Sequence, residues 1–132
     1  MLVEPEVSKL PTRNSKSWRE PFDAPVRERL SEGCAVLDIG SGRHPAVPPG
    51  QRPAGVRYVG LDLSADELEA AGNGAYDELV VDDAASAHAE LSAQFDLAIS
   101  WQVLEHVSDL EATISNIRTY LRPGGLFVAL FS

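Results

Sequence analysis

Two carboxylates and two glycines set out the chemistry this chain could perform. Asp38, Gly40 and Gly42 stand in "VLDIGSG", at the end of an apolar run, and Asp62 closes a second run in "YVGLDLS", twenty-two residues after Gly40. Glycines at a strand end let the backbone turn sharply and approach a ligand closely. An acid ending the next strand at that distance can accept both hydroxyl protons of a ribose diol. The set therefore suits a nucleoside-bearing ligand. Further polar residues stand where later strands end: Asp82 and Asp83 in "VVDDAAS", and Ser100, Trp101 and Gln102 in "ISWQ". Glu105 and His106 are adjacent in a helical turn, so they do not face each other as a ready-made dyad. No metal-ligand spacing and no serine or cysteine triad is readable.

These residues meet only if separate strands end side by side, and the apolar pattern supplies such strands. "CAVLDI", bounded by Gly33 and Gly40, reads as a strand covered on both faces. "VRYVGLDL", "ELVVDD", "FDLAIS" and "LFVALF" read as four more. "DAPVRERLSEG" predicts a helix capped by Asp23, with Pro25 in its first turn and Gly33 as its stop. Ser64 with Glu67 forms a capping box for a short helix through Ala71, and Ser108 with Glu111 forms another. After the second box, Leu110, Ile114, Ile117 and Leu121 lie at helical spacing as a core stripe, ended by "RPGG". This alternation predicts an α/β fold, doubly wound, with a mostly parallel sheet and right-handed crossovers. Residues 1–22, with Pro5, Pro11 and Pro21, read as an arm or linker with one turn around Trp18, a packing anchor; residues 23–132 read as one domain.

Four stretches, "VLDIGSG", "YVGLDLS", "FDLAISWQVLEHV" and "LRPGGLFVAL", resemble the class I S-adenosylmethionine-dependent methyltransferases over about residues 30–132. The resemblance implies a Rossmann-like sheet in the strand order 3-2-1-4-5, with S-adenosylmethionine as cofactor. It implies that Asp38 organises the glycine turn and faces the methionine amino group, directly or through water. Gly40, Ser41 and Gly42 would line the methionine part, Asp62 would hold the ribose and Leu63 would pack on the adenine. Asp83 matches the acid that accepts from the adenine amino group, with Ala84 beside it and Asp82 as the alternative in register. Ser100 and Gln102 would border the methionine moiety. Trp101 either walls the pocket or packs, and His106 is the weak candidate for a base, its structural alternative being to cap or pack the turn. Members of the family usually carry two more strands beyond the fifth. Their lack here predicts an open edge along 126–131, covered by a further C-terminal segment or by a second copy of the chain.

The family's third glycine is replaced by proline in "GSGRHP", and "RHPAVPPGQRP" predicts an extended loop in place of the usual helix. A helix N-terminus helps to hold a pyrophosphate. S-adenosylmethionine has no phosphate and carries a sulfonium, so the loss disfavours a nicotinamide-dependent dehydrogenase more than a methyltransferase. Arg43 and His44, at the loop's mouth, could reach the ligand's carboxylate. The net charge of -9, from 20 acidic and 11 basic residues, repels nucleic acid. A small-molecule methyl acceptor is the better match. No apolar run is long enough to cross a bilayer, and the single Cys34 suits a reducing, cytoplasmic setting. The rival to an enzyme is a non-catalytic S-adenosylmethionine-binding or partner module.

Overall fold

A computed structural model describes residues 16–101 and 103–130. Five strands, β1 (Ala35–Ile39), β2 (Arg57–Asp62), β3 (Glu78–Val81), β4 (Phe95–Trp101) and β5 (Leu121–Leu130), form one sheet in the order β3-β2-β1-β4-β5. All neighbouring pairs are parallel. This is the doubly wound α/β arrangement and strand order expected above. The winding direction reverses between β1 and β4, so the carboxyl ends of these strands border the crevice where such sheets take ligands.

Side chains alternate across each strand and divide the core in two. Val36 on β1, Tyr58 on β2 and Ile99 on β4 face α1 (Lys16–Arg29), whose Phe22 and Val26 bury against them. Leu37, Val59 and Ala98 face the other way, with Ile117 and Tyr120 of α3 (Leu110–Tyr120) packed over them. Asp38 falls on the α1 face by the same alternation, in register with Gly60 and Ile99. Among the described residues no helix is long and apolar enough to cross a membrane.

Several local expectations are corrected. The helix expected from Asp23 begins at Lys16 and runs through Pro21 and Pro25. Each proline removes a backbone donor, but Phe22 is fully buried and Arg19 pairs with Asp23 one turn on, 3.0 Å away. Tertiary burial of Phe22 outweighs the break, so the helix takes in residues 16–22 of the expected arm. The side chain of Trp18 lies outside the described residues. α2 (Ala65–Ala70) keeps half of its capping box: Ser64 Oγ accepts the Glu67 N–H, while the Ser64 N–H goes to Asp62 Oδ1 at 3.0 Å. The cap of α3 is Asp109, which accepts the Ala112 N–H at 3.0 Å, and not Ser108. Within the expected stripe, Ile117 is buried but Leu110 is exposed. β5 starts earlier than "LFVALF": Leu121 pairs with Phe95 and Leu126 with Leu97, and "RPGG" bulges out between them. The proline-rich stretch after β1 is a fastened loop with one 3-10 turn at Pro49–Gln51, and its Ala46 and Val47 enter the core.

Candidate functional site

The end of β1 is tied to the end of β2 by the Gly40 N–H, which donates to the Leu61 carbonyl at 2.7 Å. Gly40 and Gly42 have φ of 76° and 52°, a backbone region costly for residues with a Cβ. A Cβ on Gly40 would lie 2.4 Å from Cγ1 of Val103, and one on Gly42 would lie 3.2 Å from the Glu67 Cβ. The turn is thus pressed between the segment after β4 and the start of α2. At Gly40 glycine is required by space as well as by φ.

Asp38 is fully buried beneath this turn. Its Oδ1 accepts the Ser41 hydroxyl, and its Oδ2 accepts the Tyr58 hydroxyl at 2.5 Å and the Ala46 N–H at 2.8 Å. Burial pushes the carboxyl up from its ordinary range, against the pull of the Ser41 and Tyr58 hydrogen bonds. The side chain lines neither of the cavities at the surface. It holds the glycine turn to the proline-rich loop from below.

Two cavities meet at Gly40. The first, of about 240 Å³, is floored by Ile39 and Leu61 and edged by Asp62 and Leu63 of the β2 tip. Asp82, Asp83 and Ala84 form its second side, and Val103, His106, Val107 and Ser108 form its third. The second, of about 350 Å³, lies between Gly40, Ser41, the loop residues His44 to Ala46, Arg19 and Trp101. The proline-rich loop walls this second cavity and contributes nothing to the first.

Most of the residues singled out from the sequence converge here. Asp62 is half-buried, with one oxygen on the Ser64 N–H and the other 3.4 Å from where a Gly42 Cβ would be. Leu63 is 72% exposed although it lines the cavity, an apolar side chain with one open face. Asp83 accepts the Ala85 N–H at 2.9 Å and the Ser108 hydroxyl at 2.7 Å, and these bonds hold its carboxyl below the usual range. Asp82 shares the cavity, but its Oδ1 takes the Asp83 N–H and its Oδ2 meets His88. Ala84 lines the cavity beside Asp83, and its carbonyl accepts from Asn116 of α3 at 3.2 Å. Ser41 and Trp101 line the second cavity; Trp101 meets Phe22 edge-on at 4.9 Å and carries the Arg19 guanidinium over its ring. His106 is on the rim of the first cavity and His44 is in the second.

Besides Asp38 and Gly42, two of the expected residues line neither cavity. Ser100 is completely buried, with no hydrogen-bond partner for its hydroxyl among the described residues, and lines neither cavity. Arg43 turns away from the second cavity onto Glu67 of α2, 2.5 Å off. Gln102 falls outside the described residues. Sequence reasoning missed Val103, Val107 and Ser108 as cavity walls. The spacing of the two valines, one helical turn apart in "VLEHV", was a usable signal. Ser108 was read as a cap, and its partner Asp83 is 25 residues away.

The open apolar wall of Leu63 and Ala84 can take one face of a flat ring, and the carboxylates at either end accept from hydroxyl or amino groups. That set of acceptors opposes a phosphate and suits a neutral nucleoside. A family model for a methyltransferase domain matches residues 9–130. A ubiquinone biosynthesis O-methyltransferase of Chelativorans sp. (strain BNC1) is 38% identical over 103 residues, 74% of this chain and 40% of that protein. One from Brucella ovis is 36% identical over 110 residues, 80% of this chain and 44% of that protein. The match thus covers less than half the length of both. Among solved structures, phosphoethanolamine N-methyltransferase 2 of Haemonchus contortus in complex with S-adenosyl-L-methionine superposes with a TM-score of 0.63 at 22% identity, covering 82% of this chain and 27% of that one.

Proposed function

This chain belongs to the class I S-adenosylmethionine-dependent methyltransferases, and we propose that its two cavities hold the two halves of that methyl donor for transfer to a small-molecule acceptor. The adenosyl half occupies the first cavity. Asp62 accepts from the ribose hydroxyls, Asp83 accepts from the adenine amino group, and Leu63 and Ala84 cover the ring. The amino-acid half occupies the second cavity, against Ser41 and His44. The observation that carries this reading is the meeting of the two cavities at Gly40, with carboxylates lining the first and, among the described residues, none lining the second.

When bound, S-adenosylmethionine supplies an electrophilic methyl group on a sulfonium. The chain's own tasks are alignment and exclusion of water, since the displacement disperses charge rather than creating it. The glycine turn lets the backbone approach closely at the junction of the cavities, and Trp101 walls the side on which an acceptor must arrive. The curated relatives are named as O-methyltransferases, which supports an oxygen acceptor; a hydroxyl acceptor must lose its proton. His106 is the candidate for that proton, its imidazole 76% exposed on the cavity rim.

Calorimetry with S-adenosylmethionine, S-adenosylhomocysteine and NAD tests the site. The first two should bind and NAD should not, and Asp62→Ala should weaken binding by at least about tenfold through loss of a charged hydrogen bond. Binding of NAD alone, or unchanged affinity in Asp62→Ala, would overturn the assignment. Turnover on a panel of small hydroxylated acceptors then separates an enzyme from a binding module.

A further inference from the structure

His88 lies just past the Asp82–Ala84 wall, outside both cavities, and its imidazole is gripped at both ends. Nε2 is 2.9 Å from Asp82 Oδ2, and Nδ1 is 3.0 Å from Glu90 Oε1. A neutral imidazole has one N–H, so it can donate to one carboxylate while turning a lone pair on the other. Both contacts are hydrogen bonds only when the ring carries both protons. The geometry is therefore that of an imidazolium between two carboxylates. Asp82 faces it from the end of β3 and Glu90 from the 3-10 turn Ala89–Leu91, while α3 contributes Tyr120, whose hydroxyl accepts the His88 backbone N–H at 2.9 Å. The hydrogen bond to Glu90 and then that to Asp82 raise the ring's pKa against the effect of burial, and burial keeps Tyr120 neutral.

Asp82 passes this constraint on to the cavity. With Oδ2 on His88, its Oδ1 accepts the N–H of Asp83 at 2.7 Å. The Asp83 carboxylate is in turn held by Ala85 and Ser108. We propose that the His88 imidazolium is a positioning residue for the adenine-side wall, fixing Asp82 and through it Asp83, so that affinity for an adenosyl ligand is linked to the proton on His88. The inference rests on the reading above that Asp83 meets the adenine. Deprotonation leaves one N–H to be shared between the two carboxylates, so Asp82 is held only part of the time. Binding therefore weakens as pH rises through the ring's raised pKa, above the ordinary histidine value of 6.5. Because the Asp82 bond is lost only in part, the change is about threefold rather than larger.

Two measurements test this. NMR of labelled histidine follows His88 in the ligand-free protein, and calorimetry with S-adenosylhomocysteine from about pH 6 to about pH 9 follows affinity. Kd should rise about threefold, with its midpoint at the His88 titration. Glu90 lines neither cavity, so Glu90→Gln should carry both midpoints to lower pH together; a midpoint that follows it belongs to His88 and not to His44 or His106. His88→Gln should bind at the weaker level throughout, with a flat profile. A flat profile in the unaltered protein, or an affinity midpoint that stays put while the His88 resonance moves in Glu90→Gln, overturns the inference and leaves the adenosyl site standing. Failure of S-adenosylhomocysteine to bind at every pH overturns the site and this inference with it.

Discussion

Tyr58 donates its hydroxyl to Asp38 at 2.5 Å and accepts the Val47 N–H at 3.1 Å, so one phenol joins the β1 tip to the proline-rich loop. Arg52 closes the assembly from the far side. Its guanidinium lies 3.5 Å from the Tyr58 ring centroid, and Nε and Nη2 both donate to the Val47 carbonyl. A loop laid over a sheet must satisfy the backbone groups that a helix would satisfy internally. Here a buried acid, a phenol and an arginine supply those partners, and Ala46 and Val47 fill the space beside Val36. The glycine turn keeps its place without a following helix.

Tyr58→Phe should cost about 2 kcal/mol, because it strands the buried Val47 N–H and takes one hydrogen bond from a buried carboxylate. Urea unfolding near neutral pH, with an unchanged slope, is the measurement. The pH dependence has a definite sign. Burial raises the Asp38 carboxyl above 3.8, so the folded state holds its proton more tightly than the unfolded chain. The Asp38 contribution to stability is therefore greatest at low pH and declines as pH rises from the unfolded value through the folded one. Loss of the Tyr58 bond, which favours the carboxylate, should extend that decline to higher pH. A variant as stable as its parent near neutrality would contradict the arrangement.

Gly33 and Gly40 share nearly the same backbone, with φ of 75° and 76°, but only Gly40 is crowded: nothing lies within 4 Å of a Cβ on Gly33. Gly33→Ala should cost about 1–2 kcal/mol for the left-handed backbone alone. Gly40→Ala should cost that and about 1–3 kcal/mol more for the collision with Val103. A double-mutant cycle with Val103→Ala isolates the second part. Equal losses in the two glycine variants would mean that Val103 does not press on the turn.

The five strands were legible because each announces itself locally, as an apolar run between glycines or acids, while their order followed from the resemblance. Asp62 was legible from its place at a strand end, and Leu63, Asp83 and Ala84 from the resemblance; all four line the first cavity. What escaped depends on register or on distant partners. Nothing near Tyr58 says that it lies under residues 46 and 47, since that follows from Val36 pairing with Tyr58 across β1 and β2. The start of α1 was misjudged because Pro21 opposes a helix locally and Pro25 suits a first turn, while Phe22 favours the longer helix only through the sheet beneath. Ser108 looked like a cap by spacing, yet Asp109 is the better acceptor and leaves the serine free to reach Asp83.

Arg43 is committed to Glu67, and the consequence is measurable. Arg43→Ala should change affinity for S-adenosylmethionine by less than about twofold, because the side chain points to α2 and not into the second cavity. Its removal should let the Glu67 carboxyl rise from the lowered value that the Arg43 hydrogen bond imposes. His44→Ala, a change inside the second cavity, should weaken binding more. A larger loss in Arg43→Ala than in His44→Ala would show that the guanidinium swings to the ligand.

Ser108→Ala tests the coupling between the segment after β4 and the acid that faces the first cavity. The Ala85 N–H and then the Ser108 hydroxyl lower the Asp83 carboxyl below 3.8. That interaction stabilises the fold above the unfolded value and is lost as pH falls through the lower folded value. Without Ser108 the carboxyl should titrate closer to its ordinary range, which carboxyl-labelled NMR reads directly. Only the Ala85 N–H then holds Asp83, so its free oxygen can leave the cavity and affinity for S-adenosylhomocysteine should fall about threefold. Ser108→Thr keeps the hydroxyl and should restore both the low pKa and the affinity. If alanine and threonine behave alike, position 108 acts through bulk on the cavity wall and not through the bond to Asp83.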